Sequence, residues 1–193
     1  LASLESLREL AVPNTAVPLL ELAAKAQSDA ERQPALTALY AVCQASPDKN
    51  QTTAAILESL KGLPADQARQ VLPVLAELGT PPALAAAQAA AQGADPETSK
   101  AAVRVLAQWP NAAPAAGLLD LARSSTDPVL QVLALRGSIS VAAQEPDNAK
   151  RLALLQQAMA TAKRPDEKKQ ALGQLGQVPT PEALQAAMSF LEQ

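Results

Sequence analysis

Histidine is missing from this chain of 193 residues, and cysteine occurs once, as Cys43. The first absence removes the commonest acid/base side chain and a favoured zinc ligand. The second excludes an intrachain disulfide and any site built from several cysteines. Aromatic side chains are limited to Tyr40, Trp109 and Phe190, and β-branched residues are sparse. A sheet protein would need more of both. The seven glycines form no phosphate-cradling loop, and no zinc, calcium or nucleophile-elbow signature is present. No catalytic, cofactor-binding or metal-ligating residue is therefore nominated. No run of about eighteen apolar residues occurs, so no membrane span is expected. The net charge of −3, from 16 basic and 19 acidic side chains, lacks the basic field of a nucleic-acid binder. Neither a metal nor a nucleic acid is an expected partner.

Alanine and leucine dominate instead, and 48% of the chain is hydrophobic. Both residues form helices at little backbone or rotamer cost. Pro, Gly, Asp and Asn cut the chain into about twelve helical segments. These read as six antiparallel pairs: 2–11 with 15–27, 30–44 with 50–61, 65–78 with 81–92, 96–108 with 112–123, 128–143 with 148–162, and 166–175 with 181–191. One phrase occurs twice, one hundred residues apart, as Thr80-Pro81-Pro82-Ala83-Leu84 and Thr180-Pro181-Glu182-Ala183-Leu184. That interval holds three repeat units of about 33 residues. In each phrase the threonine is expected to cap a helix and the leucine to be its first core residue.

Start signals recur elsewhere. Asp95-Pro96 and Asp127-Pro128 each place a capping carboxylate before a proline, which has no N–H to leave unpaired. Gly62, Gly79, Gly93 and Gly176 stand where a left-handed residue would close a helix. Pro73 predicts a kink late in 65–78. Gly137 falls inside 128–143, where close packing, a bend or a break would each suit it. Ala102, Val103, Leu106 and Trp109 recur at helical spacing and predict a buried stripe. Met159 and Met188 lie on similar stripes and read as core.

Repeat starts near 29, 64, 95, 127 and 165 are irregularly spaced. Tetratricopeptide units would keep a strict length, and ankyrin units would show Thr-Pro-Leu-His turns. The pattern resembles HEAT-type repeats on two stretches: Asp95-Pro96 with Ala102-Val103-Arg104, and Asp127-Pro128 with Ala134-Leu135-Arg136. In each the aspartate precedes the arginine by nine positions. The resemblance implies an all-α, right-handed α-α superhelix spanning 1–193 as one repeat domain. It implies that Asp95, Arg104, Asp127 and Arg136 form a stacked polar ladder. A looser likeness over about 120–184 is to HEAT regions of bacterial exported proteins, which implies an extracytoplasmic setting beside a catalytic domain. The chain begins Leu1-Ala2-Ser3 and is expected to be a segment of a longer protein. Leu1, Leu4, Leu7 and Leu10, and Phe190-Leu191 at the other end, predict ends that meet further domains or expose apolar surface.

Each chemically interesting residue has a structural explanation. The Asp-Pro context accounts for Asp95 and Asp127 as caps. Cys43 lies on an apolar helix with no histidine to activate it, and reads as a core thiol. Trp109 would either anchor an interface or fill a gap between repeats. The cluster Lys163-Arg164-Pro165-Asp166-Glu167-Lys168-Lys169 mixes both signs and reads as a solvated turn. The favoured reading is a non-catalytic scaffold that binds a protein partner or an adjacent domain of its own chain. The alternative is a hydrolase or lyase with an acidic active site on the concave face.

Overall fold

The computed structural model describes residues 13–191, and every regular element among them is a helix. The chain divides into two compact units, Leu1–Val105 and Leu106–Gln193. The first contains α1 (Pro13–Lys25), α2 (Asp29–Ala45), α3 (Lys49–Lys61), α4 (Ala65–Val71), α5 (Val74–Leu78) and α6 (Pro81–Ala91). The division falls at the end of α7 (Pro96–Leu106). The second contains α8 (Ala115–Ser124), α9 (Pro128–Ala142), α10 (Asn148–Thr161), α11 (Pro165–Leu175) and α12 (Pro181–Leu191). The expected helix 2–11, with its leucine stripe, lies outside the described residues. None of the described helices is long and apolar enough to cross a membrane.

Most boundaries match the punctuation because capping is local chemistry. Thr80 and Thr180 accept the N–H of Ala83 and Ala183 at 3.4 and 3.2 Å. Asp95 accepts from Thr98 at 3.0 Å and Asp127 from Val129 at 2.8 Å. Asp48 and Asp147 cap α3 and α10 in the same way. Pro73 separates α4 from α5. Leu72 and Pro73 keep right-handed helical angles, and the bonds across them shorten to Leu75 N–H to Leu72 and Ala76 N–H to Pro73. Pro73 therefore tightens the helix into a 3₁₀-type turn. Only one of the four terminal glycines adopts a left-handed conformation. Gly79 has φ 62°, whereas Gly62 and Gly176 stay right-handed at −84° and −64°. Those two helices close through right-handed turns, for which glycine is not required.

In the first unit α1 packs on α2 and α3, α2 packs on α5, and α3 packs on α6. In the second, α8 packs on α9 and α10, α9 on α10 and α11, and α11 on α12. In the second unit α8 and α9 thus each meet both their neighbour in sequence and the next but one. The broadest contacts are α1 with α2 and α8 with α9. Each joins the second helix of one expected pair to the first helix of the next, so the closest hairpins are offset from the pairs that punctuation suggests. Small residues explain the second case. Ala115 and Ala122 of α8 and Ala134, Gly137 and Ser138 of α9 are all buried. The Ser138 hydroxyl donates to the Ala115 carbonyl at 2.8 Å. Gly137 leaves α9 unbroken, and a Cβ on it would sit 2.9 Å from the Cβ of Ala107.

The core is aliphatic. Leu20, Leu39, Ile56 and Leu75 are fully buried in the first unit, and Leu118, Ile139, Leu155 and Leu175 in the second. Each contributes roughly 1.5–3 kcal/mol through removal from water. Ala102, Val103, Leu106, Trp109 and Met159 are buried as expected. Met188 is not, with 54% of its surface exposed. The twin phrases also bury their alanine and not their leucine. Ala83 and Ala183 are buried, while Leu184 is 65% exposed. The rotation of α6 and α12 about their axes turns the fourth residue of the phrase inward.

Candidate functional site

The residues singled out by sequence do not converge on one place. Asp95 caps α7 and pairs with Arg69 of α4 at 3.1 Å. Its carboxyl is held below the usual range by the Thr98 hydroxyl first and the backbone N–H of Thr98 next, with Arg69 a smaller contributor. Arg104 is exposed on α7. Asp127 caps α9. Arg136 of α9 reaches forward to the first turn of α11, where its Nε and Nη2 lie 3.0 and 2.8 Å from Glu167 Oε1. Asp166 stands 4.0 Å away. Thr80 meets Thr53 of α3 at 2.8 Å besides capping α6, so a buried hydroxyl pair links two helices. Trp109 is 1% exposed, and its carbonyl accepts from Gln144 at 3.1 Å. Its side chain is buried and presents no exposed surface.

Cys43 is fully buried. Burial, reinforced by the charge of Glu77 and opposed by Lys49, pushes its thiol up to about 12. A thiol so held is protonated and poorly nucleophilic. Among the described residues no group of three or more Cys, Asp and Glu side chains is placed to hold a metal ion.

Sequence reading missed two of the groups that pair. Glu167 is 1% exposed, although it belongs to a charge cluster that reads as a solvated turn. Arg69 was not singled out at all. A usable signal was present: Arg69 precedes Asp95 by 26 positions and Arg136 precedes Glu167 by 31. Each interval approximates one repeat, so a cation on one helix meets an acid opening the first helix of the next repeat.

The second unit also holds a cleft of about 470 Å³. The C-terminal ends of α8 and α10 and the N-terminal ends of α9 and α11 form it. Ala122, Val132 and Leu135 supply an apolar floor, and Arg123, Lys163 and Arg164 supply cations. Arg123 is braced across the cleft: its Nε donates to the Thr161 hydroxyl at 3.1 Å and Nη2 to Gln157 at 3.5 Å. Asp120 lies 3.8 Å from its Nη1. Glu167 lines the same cleft while engaged by Arg136. The size falls within the ~300–1,000 Å³ of ligand clefts, and the mixture of apolar floor and few polar groups suits recognition. One carboxylate already in an ion pair gives no acid/base couple. The chain matches no protein-family model and no curated protein.

Proposed function

We propose that this chain is a HEAT-like α-solenoid, a right-handed superhelix of helix pairs that acts as a non-catalytic scaffold. Its task is to bind a protein partner or an adjacent domain of its own chain through exposed helix surface. The observation that supports this best is the use made of its charges. Asp95 and Asp127 cap helices, and Arg69 and Arg136 bind acids about one repeat ahead. The packing of α8 and α9, each on its neighbour and the next but one, is what a stack of repeats requires. Specificity then resides in the side chains such a stack displays.

The test is to incubate the purified chain with a cell extract under a lysine-reactive crosslinker, in parallel with mass spectrometry of the extract's metabolites. The expected result is crosslinks to a protein partner and no metabolite consumed. Time-dependent loss of a metabolite, abolished by Asp95→Asn or Asp127→Asn, would instead establish the hydrolase or lyase alternative.

A further inference from the structure

We infer that the cleft between the ends of α8, α9, α10 and α11 binds an acidic, extended peptide segment whose carboxylates alternate with aliphatic side chains. The inference deepens the interaction-module reading and rests on it.

Three cations face this cleft in a protein whose net charge is −3. They are not equivalent. Arg123 is held by Thr161 and Gln157, so its guanidinium is positioned before any ligand arrives. Lys163 and Arg164 are exposed, and no ion pair to either is seen among the described residues. The acids nearby are already engaged. Glu167 is bound by Arg136, Asp166 lies beside the same arginine, and Asp120 beside Arg123. The turn between α10 and α11 thus retains positive charge that its own acids do not satisfy.

Below that rim the floor is apolar, through Val132 and Leu135. A ligand that satisfies both levels carries carboxylates on one side and aliphatic groups on the other. An extended peptide with acidic and aliphatic residues in alternation has that form, because successive side chains point to opposite faces. Nucleic acid fits poorly, since no aromatic side chain lines the cleft on which a base could stack.

The probe is a fluorescently labelled hexapeptide of alternating glutamate and leucine, followed by anisotropy against the whole chain. The controls are a lysine–leucine hexapeptide and a labelled six-nucleotide single strand. The glutamate peptide is expected to bind and the lysine peptide not to. Arg123→Ala and Lys163→Glu should each weaken binding at least about tenfold, the loss of one charge-assisted contact. Lys163→Glu lies on an exposed turn, so it remains informative if Arg123→Ala folds poorly by circular dichroism. Raising salt should weaken binding further.

Three results would overturn the proposal: no binding of the glutamate peptide, binding that survives Lys163→Glu, or tighter binding of the oligonucleotide at the same residues. If the peptide fails while crosslinking captures a partner through another surface, the scaffold reading stands and only the cleft assignment falls. If the peptide binds and extract metabolites are consumed, the cleft stands and the scaffold reading falls.

Discussion

Cys43 shows how burial sets a single residue's behaviour. Its thiol is pushed up to about 12 from an ordinary 9.0, chiefly by burial on α2. Because the folded value is raised, the folded chain holds this proton more tightly than the unfolded chain does. The associated stability is complete below about pH 9 and is lost as pH rises toward 12. Tyr40, raised by burial and by Glu77, acts in the same direction above its ordinary 10.0. Urea melts between pH 8 and 10.5 should therefore show stability falling with pH, and Cys43→Ser should remove part of the slope. Thiol reagents should label Cys43 at the rate of unfolding. At this scale sequence tells which residues are apolar, not which way they point. Cys43 and Met159 are read correctly as core, and Met188 and Leu184 are not. All lie on apolar stripes, and only the rotation of each helix against its neighbours separates them.

At the scale of elements, the twin Thr-Pro-x-Ala-Leu phrases supply a controlled comparison. Both threonines cap a helix, but Thr80 also bonds to the buried Thr53. Removing a cap costs about 1 kcal/mol, and losing the bond to Thr53, whose hydroxyl keeps its bond to the Lys49 carbonyl at 2.7 Å, adds roughly 0.5–1.5 kcal/mol. Thermal melts should therefore show Thr80→Ala more destabilising than Thr180→Ala; equal losses would mean that the hydroxyl pair contributes nothing. Two helix-interior glycines make a second pair. Alanine gains up to about 1 kcal/mol over glycine in a helix. At Gly173 of α11 a Cβ meets nothing within 4 Å, so Gly173→Ala should stabilise. At Gly137 the same Cβ would press on Ala107, and overpacking costs about 1–3 kcal/mol, so Gly137→Ala should destabilise. Helix boundaries were legible because caps and prolines act within a few residues. The partner of each helix was less so. The offset of the closest hairpins depends on small residues such as Ala115, Ala134 and Gly137, whose sequence context gives no sign of which neighbour they admit.

At the scale of the whole molecule, charges bind elements distant in sequence, and the proposed function depends on their doing so. An acid that opens one helix and a cation on an earlier one can be recognised as candidates by spacing alone. Which pairs form is fixed by the register of stacked helices, so Asp95 meets Arg69 and Arg136 meets Glu167. The candidate cleft was hidden for the same reason. Arg123 lies about forty residues before Lys163 and Arg164, and neither stretch alone marks a site. The most direct test of charge serving architecture is a double-mutant cycle on Arg136→Met and Glu167→Gln, followed by urea unfolding. Glu167 is buried and Arg136 half-exposed, so the cycle should give about 1–2 kcal/mol of favourable coupling, with each single variant less stable than the parent. Single variants as stable as the parent, or more stable, would contradict this, because charges held for a reaction at the expense of folding behave that way.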